Sequence, residues 1–223
     1  MLLHNLFLYQ DRYFIRVNGE NDTLFYFFDY DVRTEDKNMQ FQHFHTFYEL
    51  CVMMGPNTRH ILEGKPYDME TFDIIGIPPN VLHRSQYPPG DPCKRLIIQF
   101  NLPRNVTGLS NEYERLLGIF HREVPIFRFD ADLQKKMFSK LNDIFLLAPK
   151  TDSMRDLIIH LKFTEFLTLL FLNQGRNQYT NKSEMSPMEK KIYSVTSYIH
   201  AHYFEDLSLD TLAQKFYISS CYL

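Results

Sequence analysis

The chain has 223 residues, enough for one large or two small domains each with a core of its own. Hydrophobic residues make up 44% and aromatic residues 15%, with no Trp, which describes a globular protein and excludes a disordered one. A formal net charge of −3 leaves no basic footprint over the whole chain, so strong nucleic-acid binding is not expected from bulk charge.

The N-terminus, Met1-Leu-Leu-His-Asn-Leu-Phe-Leu-Tyr, has too short an apolar run and no basic lead to be a signal peptide. From about residue 10 to 102 the pattern is strand-like: Leu24-Phe-Tyr-Phe-Phe, Tyr48-Glu-Leu-Cys-Val-Met-Met, Ile74-Ile-Gly-Ile and Arg95-Leu-Ile-Ile-Gln-Phe, each bounded by Gly, Pro, Asn or Asp. Short strands at close spacing predict a barrel or sandwich. Glu63-Gly64-Lys65-Pro66 reads as a hairpin turn, and Pro78-Pro79-Asn80 as another.

Within this region lies the group of residues best suited to chemistry: Phe41-Gln-His43-Phe-His45-Thr-Phe-Tyr-Glu49, with His83 further on. On an unbroken strand His43, His45 and Glu49 share parity with Phe47, Cys51 and Met53 and point the same way. Two imidazoles and a carboxylate on one face, joined by His83, suit a divalent metal. The same groups suit hydrogen bonding to a small polar effector such as a sugar, with Phe and Tyr as walls. They also suit a purely structural polar cluster. Metal occupancy stays open on sequence alone.

From about Asp130 the period changes. Leu133, Met137, Leu141, Ile144 and Phe145 line one helical face, and Leu157, Ile158, Leu161 and Phe166 line a second helix after the break at Pro149. The run Leu161 to Leu172 is interrupted by Lys162 and Glu165 and is too short for a bilayer, so no membrane partner is expected. Asn173 to Met185 is polar and reads as a linker. Cys51, Cys93 and Cys221 are widely spaced and odd in number, as in reduced thiols of a cytoplasmic protein.

Beyond the linker, Ser186-Pro187 is a cap followed by a first-turn proline. Ile192, Val195, Ile199 and Tyr203 then recur at helical spacing. Ser208 and Ser219 each stand where they can cap a short helix, and Leu209, Leu212, Ala213, Phe216, Ile218 and Leu223 are the predicted core of a steeply crossed pair, a helix-turn-helix. Tyr217 sits at the turn, where glycine is the easiest residue. Residues 188–223 carry Lys190, Lys191 and Lys215 against Glu189, Glu205, Asp206 and Asp210, so this segment alone is expected to bind DNA weakly.

The C-terminal residues Tyr198, Ile199, Tyr203, Leu209, Leu212, Ala213, Phe216, Ile218, Ser219, Tyr222 and Leu223 resemble the DNA-binding domain of the AraC family of transcription regulators. The stretch His43-x-His45-x-x-x-Glu49, then Gly55, then Pro78-x-Asn80-x-x-His83, resembles the cupin barrel that forms the sensory half of the same family. It departs from the metal-binding cupin pattern in the spacing from Glu49 to Gly55 and in Phe72, which stands where a Gly-Asp turn usually precedes Asp73. The resemblance implies an α+β chain divided into a cupin-like effector-binding barrel at 1–110, a helical dimerisation segment at 111–173, a linker at 174–187 and a first helix-turn-helix at 188–223. A family member would continue for roughly another 60 residues with a second helix-turn-helix, so the chain reads as truncated.

The implied function is a cytoplasmic, homodimeric, non-enzymatic regulator that binds DNA in its complete form and responds to a small-molecule effector, of which a sugar is one candidate, through His43, His45, Glu49 and His83. The candidate DNA contacts are Ser219, Ser220 and Tyr222. The resemblance implies no organic cofactor and leaves a divalent metal as the one cofactor those four residues suit. The competing class is a metal-dependent cupin enzyme, for which the same four residues would be ligands.

Overall fold

A computed structural model describes residues 12–18, 25–55, 58–102, 108–147 and 154–222. Its strands are β1 Arg12–Asn18, β2 Phe25–Arg33, β3 Tyr48–Met53, β4 Thr58–Leu62, β5 Lys65–Met69, β6 Ile74–Ile77, β7 His83–Gln86, β8 Cys93–Asn101 and β9 Ile126–Phe127. The helices are α1 Ser110–Leu117, α2 Ala131–Leu147, α3 Arg155–Leu172, α4 Pro187–His202 and α5 Leu209–Phe216. The chain is therefore α+β, with cupin-like sheets first and helices after them.

One sheet has six strands in the order β1-β2-β8-β3-β6-β9, and the other three in the order β5-β4-β7; all the pairings are antiparallel. Strand alternation divides the core in two. Tyr26, Phe28, Leu50, Val52, Leu96, Ile98 and Phe100 leave the large sheet on one face to meet Leu141, Phe145, Phe163 and Phe166 of α2 and α3. Cys51, Met53, Ile75, Ile77 and Ile97 leave it on the other and meet Leu62, Tyr67 and Met69 of the small sheet. Because β3 is covered on both faces, it reads as a continuous apolar run broken only by Glu49.

The hairpin expected at Glu63-Gly64 joins β4 to β5, with positive φ at both residues (48° and 85°), the geometry of a type I′ turn whose twist matches the strands. Asn80, in the second expected turn, also has positive φ (64°). Phe72 has φ 75°, so the position where a glycine turn is usual does demand the left-handed region. Its ring lies 5.2 Å from that of Phe138, and this contact with α2 offsets the backbone cost.

Three expectations about packing need correction. β9 comes from the segment read as helical, and pairs with β6, so the barrel recruits a strand from beyond residue 110. In α3 the buried face is Ile159, His160, Phe163, Phe166, Leu167 and Leu170. Leu157 and Leu161 are 46% and 58% exposed, because α3 is apolar nearly all round and periodicity alone does not fix which face turns inward. At the C-terminus Leu209 is 61% exposed and Tyr203 78%, whereas Leu212 and Ala213 are buried and Phe216 and Ile218 partly so. Leu209 is the first residue of α5 and rims an apolar groove with Ile192, Val195, Ile199, Leu212 and Ile218, with no further element over it among the described residues. Leu24, the break at Pro149 and Leu223 lie outside the described residues, as do the side chains of Arg12, Arg16 and Tyr222.

No helix among the described residues is long and apolar enough to cross a membrane.

Candidate functional site

The predicted cluster forms, but by a different route from the one parity suggests. β3 begins only at Tyr48, and the chain bends at residues 46 and 47, so His43 and His45 precede the strand. His43 is held instead by a two-way bridge to His83, whose N–H donates to the His43 carbonyl at 2.8 Å and whose carbonyl accepts from the His43 N–H at 3.0 Å. The His45 carbonyl accepts from the Asn80 N–H, the left-handed turn residue, at 2.8 Å. These bonds bring the loop before β3 over the end of β7. The imidazoles of His43 and His83 then lie 4.3 Å apart between centroids, and those of His45 and His83 4.9 Å.

Glu49 sits beneath them, 6% exposed, with its register partner Gln99 on β8 donating Nε2–H to Oε2 at 2.9 Å. His45 Nε2 is 3.3 Å from Glu49 Oε2, and His83 Nε2 is 3.9 Å from Oε1. Nitrogen and carboxylate atoms of His45, Glu49 and His83 all fall within 4.8 Å of one another. His43, although it touches both rings, is outside that set, and Phe47 stacks on His45 at 4.1 Å.

The proton inventory is the informative feature. Nδ1 of His45 faces the Phe47 carbonyl at 2.8 Å, and Nδ1 of His83 faces the Val81 carbonyl at 2.9 Å. A carbonyl accepts only, so each Nδ1 carries the proton and each neutral ring presents a bare Nε2 toward Glu49. Both Nε2 atoms are buried without a hydrogen-bond partner. Burial holds the His83 and His43 pKa values below the usual imidazole value, in each case against the raising effect of the Glu49 charge. Burial would raise the Glu49 carboxyl, but the His45 contact, the His83 ring and the Gln99 amide outweigh it and bring it down to about 2, a pull that the two rings exert only when an Nε2 carries a proton. In the neutral rings electron pairs thus converge on one point, an arrangement that fits a divalent ion, with backbone carbonyls fixing the tautomers.

The linker forms a second relationship that composition did not reveal. Asn177 accepts from the Arg128 N–H with Oδ1 and donates Nδ2–H to the Ile126 carbonyl, so it extends the edge at β9. Arg128 pairs with buried Asp73 at 2.6 Å and stacks over the Tyr179 ring at 5.2 Å. Asn181 and Ser183 then bond the backbone of Pro66 and Asp68 on β5. The segment read as a free linker is laid along the barrel.

It delivers α4 against the β4–β5 hairpin. Ser186 and Glu189 form a reciprocal capping box at the start of α4, and Glu189 also lies 3.8 Å from Arg59 on β4. A Cβ placed on Gly64 would stand 3.1 Å from Tyr193 Cδ2, so the hairpin tip lies directly against α4. The Gly64 N–H donates to the side chain of Gln42, the neighbour of His43.

In the C-terminal pair, Ser208 caps α5 through the Thr211 N–H, and Tyr217 takes the left-handed conformation at φ 52°, as its turn position requires. Ile218 N–H closes the turn onto the Ala213 carbonyl at 3.0 Å. Phe216 meets Tyr198 of α4 edge-on at 5.7 Å. Ser219 and Ser220 are exposed, and residues 220–222 form one 3-10 turn.

Among solved structures the chain is similar to the AraC-like transcriptional activator CuxR, at TM-score 0.43 and 10% identity, over 92% of this chain and 70% of that one. It is also similar to an RmlC-like cupin with a double-stranded β-helix fold from Methanocaldococcus jannaschii, at TM-score 0.34 and 17% identity, over 44% and 87% of the two chains. A cupin protein from Bacteroides fragilis aligns at TM-score 0.32 and 16% identity over 34% of this chain and 65% of that one, so the chain spans just under two thirds of its length. Comparison with curated proteins gives no match. Residues 25–119, which run from β2 through α1 and contain His43, His45, Glu49 and His83 at the barrel mouth, match the family model of the AraC-like ligand binding domain.

Proposed function

We propose that the chain is a ligand-sensing transcription regulator in which His43, His45, Glu49 and His83 receive a small polar effector and the C-terminal helices read DNA. The observation that carries this reading is the physical connection between the two ends: mouth loop to Gln42, Gln42 to Gly64, and Gly64 to Tyr193 on α4. A ligand that draws the mouth loop inward changes the seat of α4, and so shifts the population of docked and released C-terminal helices. Effector hydroxyls suit the site, because they donate to the bare Nε2 atoms and to Glu49; a sugar is the class we favour. Ser219, Ser220 and Tyr222 begin the element that would enter the major groove, in a cytoplasmic protein acting on DNA as a homodimer.

The test is hydrogen exchange on the full chain with and without a ligand selected from a monosaccharide panel by thermal shift. Protection should change at residues 42–49 and again at 187–202. A change confined to the mouth would remove the coupling.

A second reading keeps the regulator and gives the mouth a divalent cation, held by His45, Glu49 and His83. It is favoured by one specific observation, the two partnerless Nε2 atoms facing a carboxylate. Such an ion would supply a Lewis acid for an effector oxygen, and the same donor set is what a metal-dependent cupin enzyme would use. Elemental analysis after exposure to zinc, iron, manganese and nickel, beside His83→Ala, separates the two readings. We favour the sensor over the enzyme because the linker strap and the capped α4–α5 pair serve no catalytic step.

A further inference from the structure

β3 places Glu49, Cys51 and Met53 on one side, toward the small sheet, and only Glu49 belongs to the mouth. Further along the strand, Cys51 Sγ lies 3.8 Å from Met53 Sδ and 3.9 Å from Nε2 of His60, which arrives from β4 in the opposite sheet. Cys51 and Met53 are fully buried and His60 is 1% exposed. Ser85 Oγ lies 3.4 Å from His60 Nδ1, so a proton on Nδ1 has a partner and the Nε2 lone pair is left facing the sulfur.

We propose that Cys51, Met53 and His60 form a site for one cuprous ion inside the barrel. A thiol, a thioether and an imidazole are the soft donor set that selects Cu(I) over harder divalent ions, and a thioether is a poor ligand for zinc. Three donors at bond lengths of about 2.0–2.4 Å in a trigonal plane stand about 3.5–4 Å apart, which the two separations from Cys51 Sγ satisfy. The ion replaces the thiol proton, which leaves to solvent, so a +1 ion on one thiolate adds no net charge to the interior; a +2 ion would. Burial pushes the Cys51 thiol well up, so the ion has to displace the proton, and the nearby Arg95 guanidinium opposes burial by favouring the thiolate. The alternative is a plain core in which the Cys51 S–H donates to Met53 or His60.

The experiment is an anaerobic titration of the full reduced chain with Cu(I) against bicinchoninate, in a Cys221→Ser background because Cys221 is exposed and would bind copper itself. One equivalent should bind, with a thiolate-to-metal band in the ultraviolet and X-ray absorption giving two sulfurs and one nitrogen. Cys51→Ser and Met53→Leu should each weaken binding at least about tenfold, while His83→Ala at the mouth leaves it unchanged. Met53→Leu conserves volume and keeps the test alive if Cys51→Ser does not fold. Absence of stoichiometric binding, retention of full affinity in Met53→Leu, or loss of binding in His83→Ala would each overturn the proposal. The last result would assign the copper to the mouth, leaving the sensor reading intact.

Discussion

His45 holds its Nε2 3.3 Å from Glu49 Oε2 while its Nδ1 is committed to the Phe47 carbonyl. The pair is therefore completed only by a proton or a ligand, and this makes acid a probe of the barrel. His60 is held neutral by burial, then by Arg95, with a pKa brought down to about 3; burial also lowers His43 and His83. A lowered imidazole gives stability that is present above the ordinary value near 6.5 and is lost as pH falls toward the folded value. Glu49, brought down to about 2, adds a second loss that starts only below its ordinary value of 4.5. Urea unfolding should give a flat stability above pH 7 and a decline between pH 6.5 and 5, bounded by about 1.4 kcal/mol per pH unit for each group. His60→Gln should flatten that decline; an unchanged slope would contradict the assignment.

Ala213 is buried where α5 crosses α4, and its carbonyl closes the turn at Ile218. Ala213→Arg should melt the C-terminal helices while the barrel keeps its transition, costing those helices about 1–3 kcal/mol or more through overpacking and a buried charge. Circular dichroism reads the helix loss, and a spectrum identical to the parent would refute the packing.

Arg128 neutralises Asp73, which is 0% exposed and whose carboxyl burial raises despite the pairing. Arg128→Ala leaves that carboxylate buried without its cation and also frees the Tyr179 ring. A loss of about 2–4 kcal/mol is expected, the lower end reflecting the partial exposure of the arginine. Limited proteolysis should open first between residues 173 and 186. Equal protection in the variant would mean that the strap is held elsewhere.

Met154, which caps α3, and Leu157, Leu161 and Leu172 within it are all about half exposed or more. Large apolar side chains recurring on one helix mark a contact surface, which suits the homodimer of the regulator reading. Leu157→Glu with Leu161→Glu should turn a dimer into a monomer in sedimentation equilibrium at an unchanged far-ultraviolet spectrum. A parent chain that is already monomeric would exclude this surface.

The barrel was legible because its strands announce themselves by alternation and by turn residues with a mechanism, as at Glu63-Gly64 and Asn80. The mouth residues were legible as a set, yet the parity argument that united them fails at the bend before Tyr48. What joins His43 to His83 is a backbone bridge, and strand parity is blind to it. The strap was illegible because Asn177, Asn181 and Ser183 bond backbone groups of β5 and the β9 edge, and a polar segment looks the same in sequence whether it is solvated or stitched down. The inward face of α3 is illegible for a related reason: an all-apolar helix carries no phase, and Leu157 and Leu161 turn outward. The Cys51–Met53–His60 cluster depends on which two sheets face each other, which no spacing within β3 or β4 could state.

The central claim is that the mouth is a binding site. Thermal melting of the full chain and of His83→Ala, across a panel of monosaccharides and of zinc, iron(II), manganese and nickel, tests it most directly. The account predicts that at least one of these stabilises the parent, by about 2.7 kcal/mol at a hundredfold excess over its dissociation constant, and leaves the variant unmoved. Shifts of equal size in both proteins, or no shift in either, would contradict it.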